Sequence, residues 1–259
     1  MTRRSGKLSV EAGLARYSKE RRQGQLIVER CLEGVWGWSS PAGRLRADRR
    51  AAFLVDTARL GRSVRCLELG CGTGEFTFRL AESGCHLFAV DLSEAAVGRC
   101  RERVRGRAEV VVGNVETGEG IPGGPFDAVV GVSVLHHVNL DSCLRNVLSV
   151  LRPGGRFAFT EPNMANPQVW AERNIGLVRR WRHVTPHETA FLPSELRRAF
   201  EGAGLTVEVC EPFDFLHPST PAPLIGVARR LEAFLERTPL RGLAGSVQIA
   251  GCRPAPVPG

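Results

Sequence analysis

Glu68-Leu69-Gly70-Cys71-Gly72-Thr73-Gly74-Glu75 concentrates the residue types best spaced to hold a small ligand. Glycines at alternate positions let a backbone turn tightly and lie directly against whatever it binds. The dinucleotide fingerprint requires Gly-x-Gly-x-x-Gly. Here the third glycine comes one place early, and Glu75 stands where that glycine would be. Glu68 and Glu75 would both repel a pyrophosphate. A phosphate-free ligand with two cationic centres, an ammonium and a sulfonium, suits such an acidic rim. Asp91 follows a second apolar run and is placed to accept hydrogen bonds from ribose hydroxyls.

A second group could move protons. Ser133-Val134-Leu135-His136-His137 follows an apolar run directly. An imidazole there can take a hydroxyl proton during transfer to that oxygen. In an extended segment neighbours point to opposite sides, so His137 is expected to reach the reacting region and His136 to point into packing. His183 and His187 are further candidates. The eight cysteines have no C-x-x-C pair or regular spacing; Cys66, Cys71, Cys85 and Cys100 read as buried thiols, and no cluster has metal-ligand spacing.

These residues need a scaffold of alternating strands and helices. Apolar runs predict strands at 64–69, 86–90, 108–112, 126–132, 156–160, 205–210 and 245–250. Helical periodicity predicts helices over 11–33, 43–60, from Glu75, from the N-cap Ser93, and over 140–151, 193–203 and 223–237. Gly34 to Pro41 breaks the first two apart, and 162–192 reads as irregular. In an open α/β sheet ligands bind beyond the carboxyl ends of the strands. Glu68, Asp91, Asn114 and Ser133 stand at four successive ends and are expected to converge on one crevice.

Glu68 to Gly74 matches, position for position, the E/D-x-G-x-G-x-G motif of the class I S-adenosylmethionine-dependent methyltransferases. From about 63 to 161 the sequence resembles that family, and Leu151-Arg152-Pro153-Gly154-Gly155 is again similar to its pattern. The motifs resemble most the quinone- and natural-product-modifying branch. The resemblance implies a Rossmann-like, doubly wound, mostly parallel sheet with an antiparallel last strand, helices on both faces and an N-terminal helical cap. It divides the chain into a cap (1–60), a cofactor-binding core (61–161), and a lid with C-terminal completion of the sheet (162–259). It implies S-adenosylmethionine held by Glu68, Gly70, Cys71, Gly72, Thr73, Asp91, Leu92, Asn114, Val115 and Ser133. Asn114 stands where the family often has an aspartate that accepts from the adenine amino group; its amide oxygen can do the same. Trp36 and Trp38 either line the substrate pocket or pack a glycine-rich turn.

Composition narrows the acceptor. Lys7 and Lys19 are the only lysines, and the net charge of +8 rests on arginines scattered except between Arg99 and Arg107. With 7% aromatic residues there are few platforms for stacking bases. Both favour a small-molecule acceptor in bacterial biosynthesis, most simply a hydroxyl of a natural product, lipid or saccharide, over RNA. A non-catalytic cofactor-binding subunit stays as a further alternative. No apolar run follows Arg3 and Arg4, so a cytoplasmic protein without a transmembrane segment is expected. The apolar face of 223–237 is expected to cap a greasy acceptor, join a second copy, touch a membrane surface or simply pack on the sheet as an extra helix.

Overall fold

In a computed structural model the described residues are 17–22, 24–26, 28–29, 37–176 and 189–255. Trp36, His183 and His187 lie outside them. Seven strands form one sheet: β1 (Arg65–Leu69), β2 (His86–Asp91), β3 (Glu109–Val112), β4 (Phe126–Val132), β5 (Leu151–Pro162), β6 (Thr206–Phe213) and β7 (Ser246–Cys252). Their order is β3-β2-β1-β4-β5-β7-β6. The first five are parallel, while β7 runs antiparallel to both β5 and β6. Buried on both faces, the central strands are nearly continuous apolar runs such as Phe126-Asp127-Ala128-Val129-Val130-Gly131-Val132.

The helices are α1 (Pro41–Thr57), α2 (Glu75–Ala81), α3 (Glu94–Val104), α4 (Leu140–Val150), α5 (Pro167–Asn174), α6 (Pro193–Gly202) and α7 (Ile225–Leu235). One core layer joins α1 and α2 to the sheet through Leu54, Phe76, Leu80, Cys66 and Val130. The opposite layer joins α4 and α6 through Leu144, Val147, Leu196, Phe200, Phe157 and Phe159. Cys66, Cys71, Cys85 and Cys100 are free and buried.

Several expectations need correction. Pro41 opens α1 instead of belonging to the break before it: its fixed φ suits a first helical position, and the Ser40 side chain caps Gly43 N. Leu45 is exposed, so α1 buries a narrower stripe than expected. The stretch 162–192 contains α5, started by Asn166, whose side chain accepts from Gln168 N and Val169 N. The late helix is shorter, a 3-10 turn at Ala222–Leu224 leading into α7.

One connection matters for the site. Because β7 is antiparallel, Phe213 and Pro162 both pair with Ser246. The β6–β7 connection, with α7, therefore lies at the carboxyl edge of the parallel strands. It is held to α1 by Asp214, which accepts from Arg46 Nε (2.9 Å) and Arg50 Nη2, while Arg50 also donates to Ser246 Oγ at 2.6 Å. Burial would push the Asp214 carboxyl up, but the Arg50 and Arg46 charges outweigh it and hold it below the ordinary aspartate range. Burial brings Arg50 down to about 10. Asp214 adopts a φ of +76°, a left-handed conformation rare for a side chain other than glycine.

Candidate functional site

The glycine turn sits between the ends of β1 and β2. Gly70, Gly72 and Gly74 all have positive φ, at +69°, +51° and +86°. The surroundings separate them. A Cβ at Gly70 would meet Val134 Cγ2 at 2.5 Å, and one at Gly74 would meet Cys100 Sγ at 2.8 Å. A Cβ at Gly72 would meet no atom of the described residues within 4 Å. Two of the glycines thus make room for the protein itself, whereas the open side of Gly72 faces outward from the turn.

Asp91 ties this turn to the next helix. Its Oδ2 accepts from Gly72 N at 2.9 Å and its Oδ1 from Ser93 N at 2.8 Å. Burial raises the Asp91 carboxyl above its ordinary range, against the pull of these two N–H groups and of the nearby His137. Gly70 N and Cys71 N both donate to Val90 O, so β2 consumes the amides there. The Cys71 side chain faces Val97 and Cys100 in the core, and Thr73 is buried.

Glu68 is not on the rim. It lies 2% exposed beneath the turn, hydrogen-bonded by Thr77, and its Oε2 has no partner among the described residues. Burial pushes its carboxyl up to about 8. Glu75 is already balanced by Arg79 at 2.6 Å and Arg103 at 3.0 Å. The acidic character expected of the rim thus rests on Asp91, with Glu68 below it.

Asn114 follows β3, and its Oδ1 accepts from Glu116 N at 2.9 Å, an Asx turn that already engages the amide oxygen. Val115 is a core residue, whereas Leu92 is partly exposed beside Asp91. Ser133 has φ +53° and is exposed, a strained backbone position at the end of β4. The structure therefore lines the ends of β1 to β4 along one edge, with Asp91, Leu92, Asn114 and Ser133 at the surface and Glu68, Cys71, Thr73 and Val115 beneath it.

The two histidines are not on an extended segment. Leu135–His137 is a 3-10 turn, and the imidazoles stack with centroids 4.1 Å apart. The reason is Glu161 at the end of β5, a buried residue not anticipated from the sequence. Its Oε1 accepts from Val134 N (2.9 Å) and Leu135 N (2.8 Å), and its Oε2 lies 2.7 Å from His136 Nδ1. Burial, then the neighbouring His137, lowers His136 from the ordinary histidine value, although Glu161 pulls the other way. His136 does point into packing, as expected. His137 is more open, with Nδ1 3.3 Å from Glu20 Oε2.

Glu20 belongs to a helical stretch within residues 17–29 that crosses this edge. Tyr17 donates to Glu116 Oε2 at 3.1 Å, Glu20 meets His137, and Gly24 packs against Ser93 so closely that a Cβ there would meet its Oγ at 2.4 Å. On the other flank Trp38 packs edge-on against Phe76 in the first turn of α2, at 5.3 Å. It therefore serves the packing of the glycine turn.

The comparisons with known proteins agree with this geometry. Residues 67–159 match a family model described as a methyltransferase domain. A ubiquinone/menaquinone biosynthesis C-methyltransferase of Methylobacterium nodulans is 31% identical over 166 residues, 59% of this chain; the chain spans 65% of that relative, just under two thirds of its length. A ubiquinone biosynthesis O-methyltransferase of Sinorhizobium fredii is 28% identical over 208 residues, 71% of this chain and 83% of the relative. Among solved structures, the N-methyltransferase NodS of Bradyrhizobium japonicum in complex with S-adenosyl-L-homocysteine superposes with a TM-score of 0.62 at 16% identity. That match covers 91% of this chain and 98% of NodS. At that identity the likeness is one of fold.

Proposed function

We propose that the chain, whose residues 67–159 match a methyltransferase domain, is an S-adenosylmethionine-dependent methyltransferase that methylates a small-molecule acceptor at a hydroxyl oxygen. The observation that carries this reading is the glycine turn whose middle residue, Gly72, opens away from the protein while Asp91 holds its N–H. The unpartnered Oε2 of Glu68 beneath the turn also fits a cofactor bearing an ammonium group.

When bound, S-adenosylmethionine supplies an electrophilic methyl on a sulfonium. Asp91 offers its remaining lone pairs to the ribose hydroxyls, and Glu68 offers Oε2 to the ammonium. Gly70, Cys71, Thr73, Leu92, Asn114, Val115 and Ser133 shape the surrounding walls. Glu161 fixes the Leu135–His137 turn through two N–H groups and the His136 ring. His137, the more open imidazole, then takes the proton from the acceptor hydroxyl as the oxygen is methylated. Most of the rate comes from aligning the reactants away from water.

Relatives methylating carbon, oxygen and nitrogen make the hydroxyl the finer part of this reading. The histidine pair is consistent with it, since a hydroxyl oxygen must lose its proton as the methyl arrives. RNA is disfavoured by charge placement. Arg99, Arg103, Arg105 and Arg107 surround a hollow at the carboxyl end of α3, which leads into β3 at the opposite edge of the sheet. The test is incubation with methyl-labelled S-adenosylmethionine and separate lipid, polar-metabolite and RNA fractions of a bacterial extract. Label is expected in a small-molecule fraction, on oxygen. Label in RNA, or none in any fraction despite cofactor binding, would refute the reading.

A further inference from the structure

The β6–β7 connection carries a helix turned inside out. In α7, Val227, Leu231 and Phe234, with Leu224 just before, recur three or four residues apart and so share one face. That face is bare: Leu224 and Leu231 are each 55% exposed, Phe234 64% and Val227 65%. A helix on a globular protein ordinarily turns such a stripe inward. Here the inward face carries acids. Glu232 accepts from Phe215 N at 2.8 Å and Leu216 N at 3.1 Å, and it meets Arg49 at 3.2 Å. Glu236 accepts from Asp214 N at 3.0 Å and from Arg49 at 2.8 Å.

The arginines of α7 and of the turn just beyond it face out with the hydrocarbon. Arg229, Arg230 and Arg237 are exposed. Arg230 and Arg237 follow Val227 and Phe234 by three residues, along the ridge that borders the stripe. Since both acids are spent inside, the outward surface is apolar and cationic only. The adjoining 3-10 turn Pro239–Leu243 adds Leu240 and Leu243, also exposed.

We propose that this face of α7 docks onto an anionic lipid bilayer, with Leu224, Val227, Leu231 and Phe234 in the acyl boundary and Arg230 and Arg237 among the headgroups. The charges select this occupant. A two-fold pairing of the same face on a second copy would set its arginines against their own counterparts. A nucleic acid would leave the aliphatic stripe uncovered. The position is apt as well. Asn166 Nδ2 at the head of α5 donates to Leu243 O at 2.8 Å, and Gln168 approaches His217 at 3.5 Å. The docking face therefore adjoins the segment that follows β5, at the carboxyl edge of the sheet, where a membrane-dissolved acceptor would arrive. The proposal does not depend on methyl transfer and is read out without it.

The experiment is flotation of the full chain with vesicles of phosphatidylcholine alone and of phosphatidylcholine with phosphatidylglycerol. Binding is expected only to the second, weakening as salt rises. The variants L231S/F234S and R230E/R237E should each lose about tenfold or more in partitioning. Their melting temperatures should match the parent, because all four side chains are exposed. No binding to anionic vesicles, equal binding to neutral ones, or undiminished binding by both variants would overturn the proposal. So would a concentration-dependent dimer, seen by sedimentation and abolished in L231S/F234S, which would give the face to a second copy.

Discussion

Replacing Glu68 by glutamine should change how many protons leave the protein when its cofactor binds. The free carboxyl stands at about 8, pushed up chiefly by burial, with Oε2 lacking a partner among the described residues. At pH 7 it is therefore roughly nine-tenths protonated. An ammonium brought against it favours the ionised form, so binding at pH 7 should release close to one proton. The measurement is calorimetry of S-adenosylhomocysteine binding at pH 7 in buffers of different ionisation enthalpy, whose slope gives the proton count. The slope should vanish in Glu68→Gln and shrink in the parent at pH 9, where the carboxyl is already ionised. Stability supplies a second readout. Between about 4.5 and about 8 the folded chain keeps a proton that the unfolded chain has lost, so stability falls as pH rises through that window. The full shift corresponds to an upper limit of about 5 kcal/mol. Glu68→Gln should flatten the dependence and match the parent below the window. A buffer-independent binding heat in the parent, or the same slope in both proteins, would refute a role for Glu68 beneath the cofactor.

Three further outcomes follow from the same contacts. Gly72→Val forces a β-branched residue to a φ of +51° and fills the open side of the turn, while Asp91→Ala strands Gly72 N and Ser93 N; each lost charged hydrogen bond costs about 1.5–3 kcal/mol. Cofactor titration should show at least tenfold weaker binding for both, and unchanged affinity in both would remove the site. His137→Ala should leave cofactor affinity nearly intact and cut turnover about 10²–10⁴-fold in single-turnover assays; a variant that keeps most of its rate would make His137 a pocket wall. Arg50→Met should lower stability by about 3–5 kcal/mol by leaving Asp214 underpaired. Because Asp214 is held below its ordinary range, this loss should be full at neutral pH and fade in acid as the carboxyl protonates, as thermal melts at several pH values would show.

What the sequence made legible was local. The strand-turn-helix around Gly70 to Gly74 and the strand ends at Asp91, Asn114 and Ser133 follow from apolar runs and glycine spacing, and they fall where expected. The histidine turn is not extended, and the cause lies 25 residues away in Glu161, which no local pattern marks. The same holds for Asp214, whose partners Arg46 and Arg50 stand 168 and 164 residues earlier. Helix α5 has a local signal, Asn166-Pro167, a capping side chain followed by proline at the first helical position, which the neighbouring prolines obscure. The apolar period of α7 was visible, but not the direction it faces, since that depends on Arg49 claiming Glu232 and Glu236 for the interior.

The Arg46–Arg50–Asp214 junction has a consequence for how the chain folds. The β6–β7 connection enters its path through a residue in the left-handed region whose carboxylate is buried, and its compensating charges among the described residues come from α1. Strands β1 to β5 can pair without that junction, but the connection cannot seat until a helix from the other end of the chain is in place. Loop closure over such a span is slow relative to local pairing. Helix α1 and the β6–β7 connection are thus expected to form one late cooperative unit around an earlier sheet. Native-state hydrogen exchange would register α1, the Asp214 corner and α7 opening together, at a lower free energy than the central strands.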